Sequence, residues 1–149
     1  MNDMLRALAA YVAAVLVTYT LATIAATQHV MARLVDMGVD VSLADRLGTT
    51  LHDLAGMTTS YLPILAVGLA IAFPVAAGVA RFAPRWRTIG YPLAGGLAVL
   101  VIHFTLSQLF NITPVAAART TLGLTVQALC GALGGWLFFV WPRRQLVPG

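Results

Sequence analysis

Four stretches of about twenty residues, 4–26, 60–80, 89–110 and 114–141, pass with no aspartate and at most one arginine each. A helix needs about 20 mostly apolar residues to cross a hydrocarbon core of about 30 Å, so each stretch is long enough to span. Nine arginines and five aspartates are the whole fixed charge of the chain; there is no lysine and no glutamate. Charged residues make up 9% of the sequence, against about a quarter in a soluble domain. That is too little to solvate a globular surface, which argues against a soluble enzyme, a nucleic-acid binder and a disordered tail. The expectation is an all-α polytopic membrane protein. It consists of a single integral domain over residues 1–149, a four-transmembrane-helix bundle with a short outer amphipathic helix between spans 1 and 2.

The net charge of +4 does not form one patch. Arg6, Arg81, Arg85, Arg87, Arg143 and Arg144 lie just outside apolar runs. The segment 27–58 sets Arg33 and Arg46 against Asp36, Asp40, Asp45 and Asp53, a net −2. Short arginine-bearing loops are retained in the cytoplasm. Both termini and the Arg81–Arg87 turn are therefore expected on the cytoplasmic side of a bacterial inner membrane, with the acidic segment outside. An even number of spans requires the termini to share a side, so charge and count agree. Arg6 followed by an apolar run and the small residues Ala25 and Ala26 resembles a signal peptide. The run is longer than a usual signal core, and it reads as a retained first span.

Between spans 1 and 2, helical periodicity continues through Val30, Met31, Leu34 and Val35 to Gly38. Ser42 and Asp45 then form a capping-box pattern with aspartate in place of glutamate. Leu43, Leu47, Leu51 and Leu54 follow at helical spacing, with polar residues on the other faces. This stripe is expected to find apolar cover by docking on the outer mouth of the bundle. Further along, Pro74 is expected to kink span 2, and Trp86 belongs at headgroup depth. Thr113-Pro114 supplies an N-cap and a proline at the first position of span 4.

Polar residues inside spans are costly in hydrocarbon unless partnered, and they mark candidate sites. Arg119, Gly123, Gln127, Gly131 and Gly135 recur every four residues on span 4. His103, Ser107 and Asn111 do the same on span 3, as do Tyr19, Thr23 and Thr27 on span 1. At 1.5 Å per residue, His103 lies about 10 Å and Arg119 roughly 6 Å inside the outer boundary. The convergence suggests a polar, outward-opening ligand site of His103, Ser107, Arg119, Gln127 and Thr23. There the Arg119 fork would suit a carboxylate or phosphate. The plainer alternative is that Arg119 snorkels outward or pairs with Asp53 or Asp40. Gly131 and Gly135, four apart, read as a helix-packing pair, either within the bundle or between copies.

Catalytic chemistry has little to build on. Ser107 and His103 share a face but lack a third orienting group, and no paired carboxylates are present. Cys130 is the only cysteine, so neither an intramolecular disulfide nor a cysteine zinc site is available. The spacing of His29 and His52 matches no metal motif, and His103 has no second histidine at matching depth for haem. No catalytic residue, metal site or cofactor is expected. The sequence points to a non-enzymatic accessory or self-associating membrane subunit. The alternative is a protein that binds or transports a lipid or amphipathic anion in the outer-half cavity. Expected partners are membrane lipids and a larger membrane complex or further copies of the chain, with no nucleic acid.

Overall fold

A computed structural model describes residues 2–109 and 116–144. Among these residues the chain forms five α-helices and no strand: α1 (Asp3–Asp36), α2 (Leu43–Gly56), α3 (Tyr61–Phe82), α4 (Arg87–Leu109) and α5 (Thr121–Arg144). Four of them, all but α2, are long and apolar enough to cross a membrane. The four pack as a ring in which α5 lies against both α1 and α4, and α3 closes the circuit between α4 and α1.

α1 has 34 residues, about 51 Å of helix, well over the roughly 30 Å a bilayer core demands. It stops where Gly38 takes a φ of +84°, a left-handed conformation that glycine adopts without a Cβ clash. The Gly38 and Val39 amides donate back to the carbonyls of Val35 and Leu34, closing the helix end. α2 begins at Ser42, whose side chain accepts from the Asp45 amide while the Asp45 carboxylate accepts from the Ser42 amide. Two otherwise unpaired amides are satisfied reciprocally.

Small residues set the closest approaches. Gly95 and Gly131 bring the backbones of α4 and α5 into contact, and Gly135 lies against the Tyr91 carbonyl. A Cβ on any of the three would strike backbone atoms of the neighbouring helix. Gly134 does the same service toward α1, where it faces Thr18 and the Ala14 carbonyl. α5 is thus held on two sides through glycine, the small-residue packing that suits apolar surroundings.

Two side-chain clusters fill the ring. Toward the α2 end, Tyr19, Ala22, Ala26, Tyr61, Leu65, Val99, Ile102 and Cys130 pack together. Toward the α3–α4 turn, Phe73 stacks on Phe138 with centroids 4.4 Å apart, and Tyr11 and Tyr91 meet its edge. Pro74 sits within α3, which continues past it to Phe82. Proline has no amide hydrogen, so the Ala70 carbonyl lacks its helical donor there.

The face that α2 turns to the rest of the chain differs from the sequence expectation. Leu43, Leu47 and Leu51 are 73%, 59% and 67% exposed, and only Leu54 joins the packed cluster. The polar side docks instead. Arg46 Nη1 donates to Gln28 Oε1 at 2.9 Å, and Gln28 Nε2 donates to Thr50 Oγ1 at 3.1 Å. Thr27 Oγ1 donates to Asp53 Oδ2 at 2.7 Å, and the Tyr19 hydroxyl donates to the Leu54 carbonyl at 2.6 Å. The physical reason lies on α1. Its Tyr19, Thr27 and Gln28 are buried or half-buried polar groups, and leaving such groups unpaired costs about 1–3 kcal/mol each. α2 supplies their partners, and its leucines are left outside.

Candidate functional site

Polar groups meet most densely where α3 starts, between α1, α4 and α5. Tyr61 opens the buried stripe of α3, followed at four-residue spacing by Leu65, Leu69 and Phe73. Its ring is fully buried, and its hydroxyl lies 3.1 Å from His103 Nε2 on α4 and 3.1 Å from Gln127 Oε1 on α5. Gln127 Nε2 in turn donates to the Ala22 carbonyl of α1 at 2.8 Å. One tyrosine therefore ties together polar groups from all four long helices.

The proton positions follow from these contacts. The amide orientation of Gln127 is set by its donation to Ala22, which leaves Oε1 as an acceptor. Tyr61 has a single hydroxyl proton and gives it to Oε1. His103 Nε2 must then carry a proton and donate to the Tyr61 oxygen. His103 Nδ1 is left as a bare acceptor, buried and without a hydrogen-bond partner. The Oγ1 atoms of Thr18 and Thr23 are also buried without partners.

The expected site residues are distributed unevenly about this cluster. His103 and Gln127 are joined through Tyr61, and Thr23 is buried one residue beyond Ala22. Ser107 donates to the carbonyl of Phe104 on its own helix at 2.9 Å. Arg119 is exposed and occupies a 3₁₀ turn, Ala116–Arg119, before α5 rather than the helix itself. The cause is Thr120, whose Oγ1 accepts from the Gly123 amide at 3.0 Å and caps α5 at that point. The expected start at Thr113-Pro114, and Asn111 in the span-3 stripe, lie outside the described residues. Asp53, a conceivable partner for Arg119, is occupied by Thr27. Among the described residues the ion pair found is Arg6 with Asp3, at 3.8 Å. Gly131 and Gly135 face α4.

Tyr61 is the residue that sequence reasoning missed. It stands at the edge of an apolar run, where a ring can serve an interface or a core. The signal that places it inward is its register with Leu65, Leu69 and Phe73, a four-residue repeat on one face of a helix.

The cluster has no group of three or more histidine, cysteine or acidic side chains among the described residues that could hold a metal. It offers one donor–acceptor chain, running from His103 through Tyr61 and Gln127 to the Ala22 carbonyl, with His103 Nδ1 and the hydroxyls of Thr18 and Thr23 left without partners. Set against family models, curated proteins and solved structures, the chain matches none.

Proposed function

We propose that this chain is a non-enzymatic accessory subunit of a larger membrane complex, engaged through the hairpin of α1 and α2. In this reading the four long helices span a bacterial inner membrane with both termini cytoplasmic, and α2 is a short amphipathic helix on the outer side. The observation that carries it is the orientation of α2. Its polar face is spent on α1, while Leu43, Leu47 and Leu51 are exposed, with Met37 and Val39 exposed on the connection before it. This apolar surface belongs to none of the four spanning helices, so the bilayer core that covers α3 and α4 does not automatically cover it. Large exposed apolar patches of this kind mark interaction sites. The hairpin carries Asp36, Asp40 and Asp45 at its exposed positions, an acidic surround that favours a protein partner over an anionic lipid surface.

The alternative, an anion site at His103, Ser107, Arg119, Gln127 and Thr23, draws less support. Arg119 is exposed and Ser107 bonds its own helix, while His103 Nε2 and Gln127 Oε1 are both engaged by Tyr61. Self-association through Gly131 and Gly135 is likewise weakened, because those glycines are covered by α4.

Native mass spectrometry of the protein extracted in mild detergent tests the reading. A stoichiometric hetero-complex is expected for the wild type, lost in Leu47→Asp/Leu51→Asp while the subunit still inserts. A wild type found only as a monomer or homo-oligomer would remove the accessory role. Orientation is checked by cysteine labelling in a Cys130→Ala background. Asp40→Cys is expected to react with an impermeant reagent on intact cells, and Arg85→Cys is not.

A further inference from the structure

α3 and α4 leave a groove of about 830 Å³ between them on the outer surface of the bundle. Its floor is made of small residues, Gly68 and Ala72 on α3 with Ala94 and Ala98 on α4, while Ile71 and Leu97 form exposed rims. It runs from Pro63 to Ala80 along α3, about 25 Å of helix, and Trp86 closes one end. Trp86 is flanked by Arg85 and Arg87, and Arg81 lies just before the turn; all three arginines are exposed. Their guanidinium groups have no acidic or hydrogen-bonding partner among the described residues, and no acidic residue occurs between Asp53 and the end of the chain.

We infer that this groove holds an anionic phospholipid of the leaflet next to the α3–α4 turn, with one acyl chain along the floor and the phosphate between Arg85 and Arg87. Two independent features meet in one ligand class. A long apolar channel selects a chain, and an unpaired cationic cluster at one end selects an anionic head. One leaflet contributes about 15 Å of hydrocarbon, so a chain rooted at the arginines covers the half of the groove containing Ala94. Arginine suits the head because its planar fork donates two parallel hydrogen bonds to a phosphate. The inference rests on the membrane placement of the four helices but not on any partner at α2.

The test uses the full chain. In a Trp136→Phe/Trp141→Phe background Trp86 is the only tryptophan, and its fluorescence is read in vesicles containing brominated phosphatidylglycerol or brominated phosphatidylcholine. Quenching by the anionic lipid is expected to be at least twofold stronger at equal mole fraction. Replacing Arg85 and Arg87 by Gln is expected to remove that preference, so that the two lipids quench to the same extent. Ala94→Phe, which fills the floor, is expected to displace the brominated chain without removing the arginines. Native mass spectrometry of the wild type supplies a second reading: retained phosphatidylglycerol in excess of phosphatidylcholine from an equimolar mixture. Equal quenching by the two lipids, or an undiminished preference without the arginines, would overturn the inference. Protection of Trp86 from both lipids would also overturn it, by showing that protein rather than lipid covers the groove.

Discussion

Tyr61 and His103 are 42 residues apart and share a buried hydrogen bond of 3.1 Å between the Tyr61 hydroxyl and His103 Nε2. Because Tyr61 passes its own proton to Gln127, the three side chains form a directed chain that ends at the Ala22 carbonyl. Removing the middle member orphans both ends. Tyr61→Phe is expected to leave a bare His103 N–H and a bare Gln127 oxygen, at a cost of about 1–3 kcal/mol for each unpaired group. Thermal unfolding in detergent reads this as a lowered midpoint. Adding Gln127→Leu to Tyr61→Phe is expected to cost less than the sum of the two single changes, since one of the orphans disappears. Additive losses would show that the chain of hydrogen bonds contributes nothing as a unit.

The same geometry fixes the neutral tautomer of His103. Nitrogen-15 spectra of the folded protein at neutral pH are expected to show Nε2 protonated and Nδ1 bare. A protonated Nδ1 would mean that Tyr61 donates to His103 and that Gln127 Oε1 takes its proton from elsewhere.

The bundle and its polar interior were legible in the sequence to different degrees. Four helices long enough to span follow from the apolar runs alone, because chain length and charge scarcity leave few other folds. His103 and Gln127 stood out because each is a polar residue in an apolar helix. Their connector did not, because a tyrosine at the edge of an apolar run can serve an interface or a core equally well. Only its four-residue register with Leu65 decides. The orientation of α2 was read the other way for a related reason. Leu43, Leu47 and Leu51 make an unambiguous stripe, but the stripe does not say which face docks. That is settled by Tyr19, Thr27 and Gln28 on α1, polar groups whose need for partners outweighs apolar cover. The spacing of Arg119 from Gly123 and Gln127 puts it on span 4, while the Thr120 cap starts α5 at Thr121, two residues beyond Arg119.

The α4–α5 contact makes a comparison between two glycines informative. Gly131 approaches Gly95 so closely that a Cβ would strike the Gly95 carbonyl, whereas a Cβ on Gly78 meets nothing within 4 Å. Gly131→Ala is therefore expected to destabilise by roughly 1–3 kcal/mol, the usual cost of forcing volume into a packed contact. Gly78→Ala, in a helix interior with open space around it, is expected to be neutral or to stabilise by up to about 1 kcal/mol through reduced backbone freedom in the unfolded chain. Unfolding midpoints of the two variants in the same detergent check the contrast. Equal shifts would mean that α4 and α5 separate enough to admit a methyl group.

The last prediction concerns acid. Hydrogen bonds from the Ser42 side chain and then from its backbone amide hold the Asp45 carboxyl below its ordinary value of 3.8. A carboxyl whose folded pKa is depressed stabilises the fold wherever it is ionised, and that stabilisation is lost as pH falls through the folded pKa. The capping box should therefore be intact at neutral pH and fail only below about pH 4. Amide exchange in the first turn of α2 is expected to rise there, ahead of exchange in α5, which contains no acidic residue. Ser42→Ala is expected to cost α2 about 1 kcal/mol at neutral pH and to remove most of this acid dependence, because the groups that depress the carboxyl are weakened together with the cap. Asp45→Asn retains an acceptor for the Ser42 amide but cannot titrate. Its first turn is expected to exchange at the same rate at pH 3 as at pH 7, after correction for the intrinsic chemistry of exchange. An acid-induced rise that persists in Asp45→Asn would show that the fraying does not come from the Asp45 carboxyl.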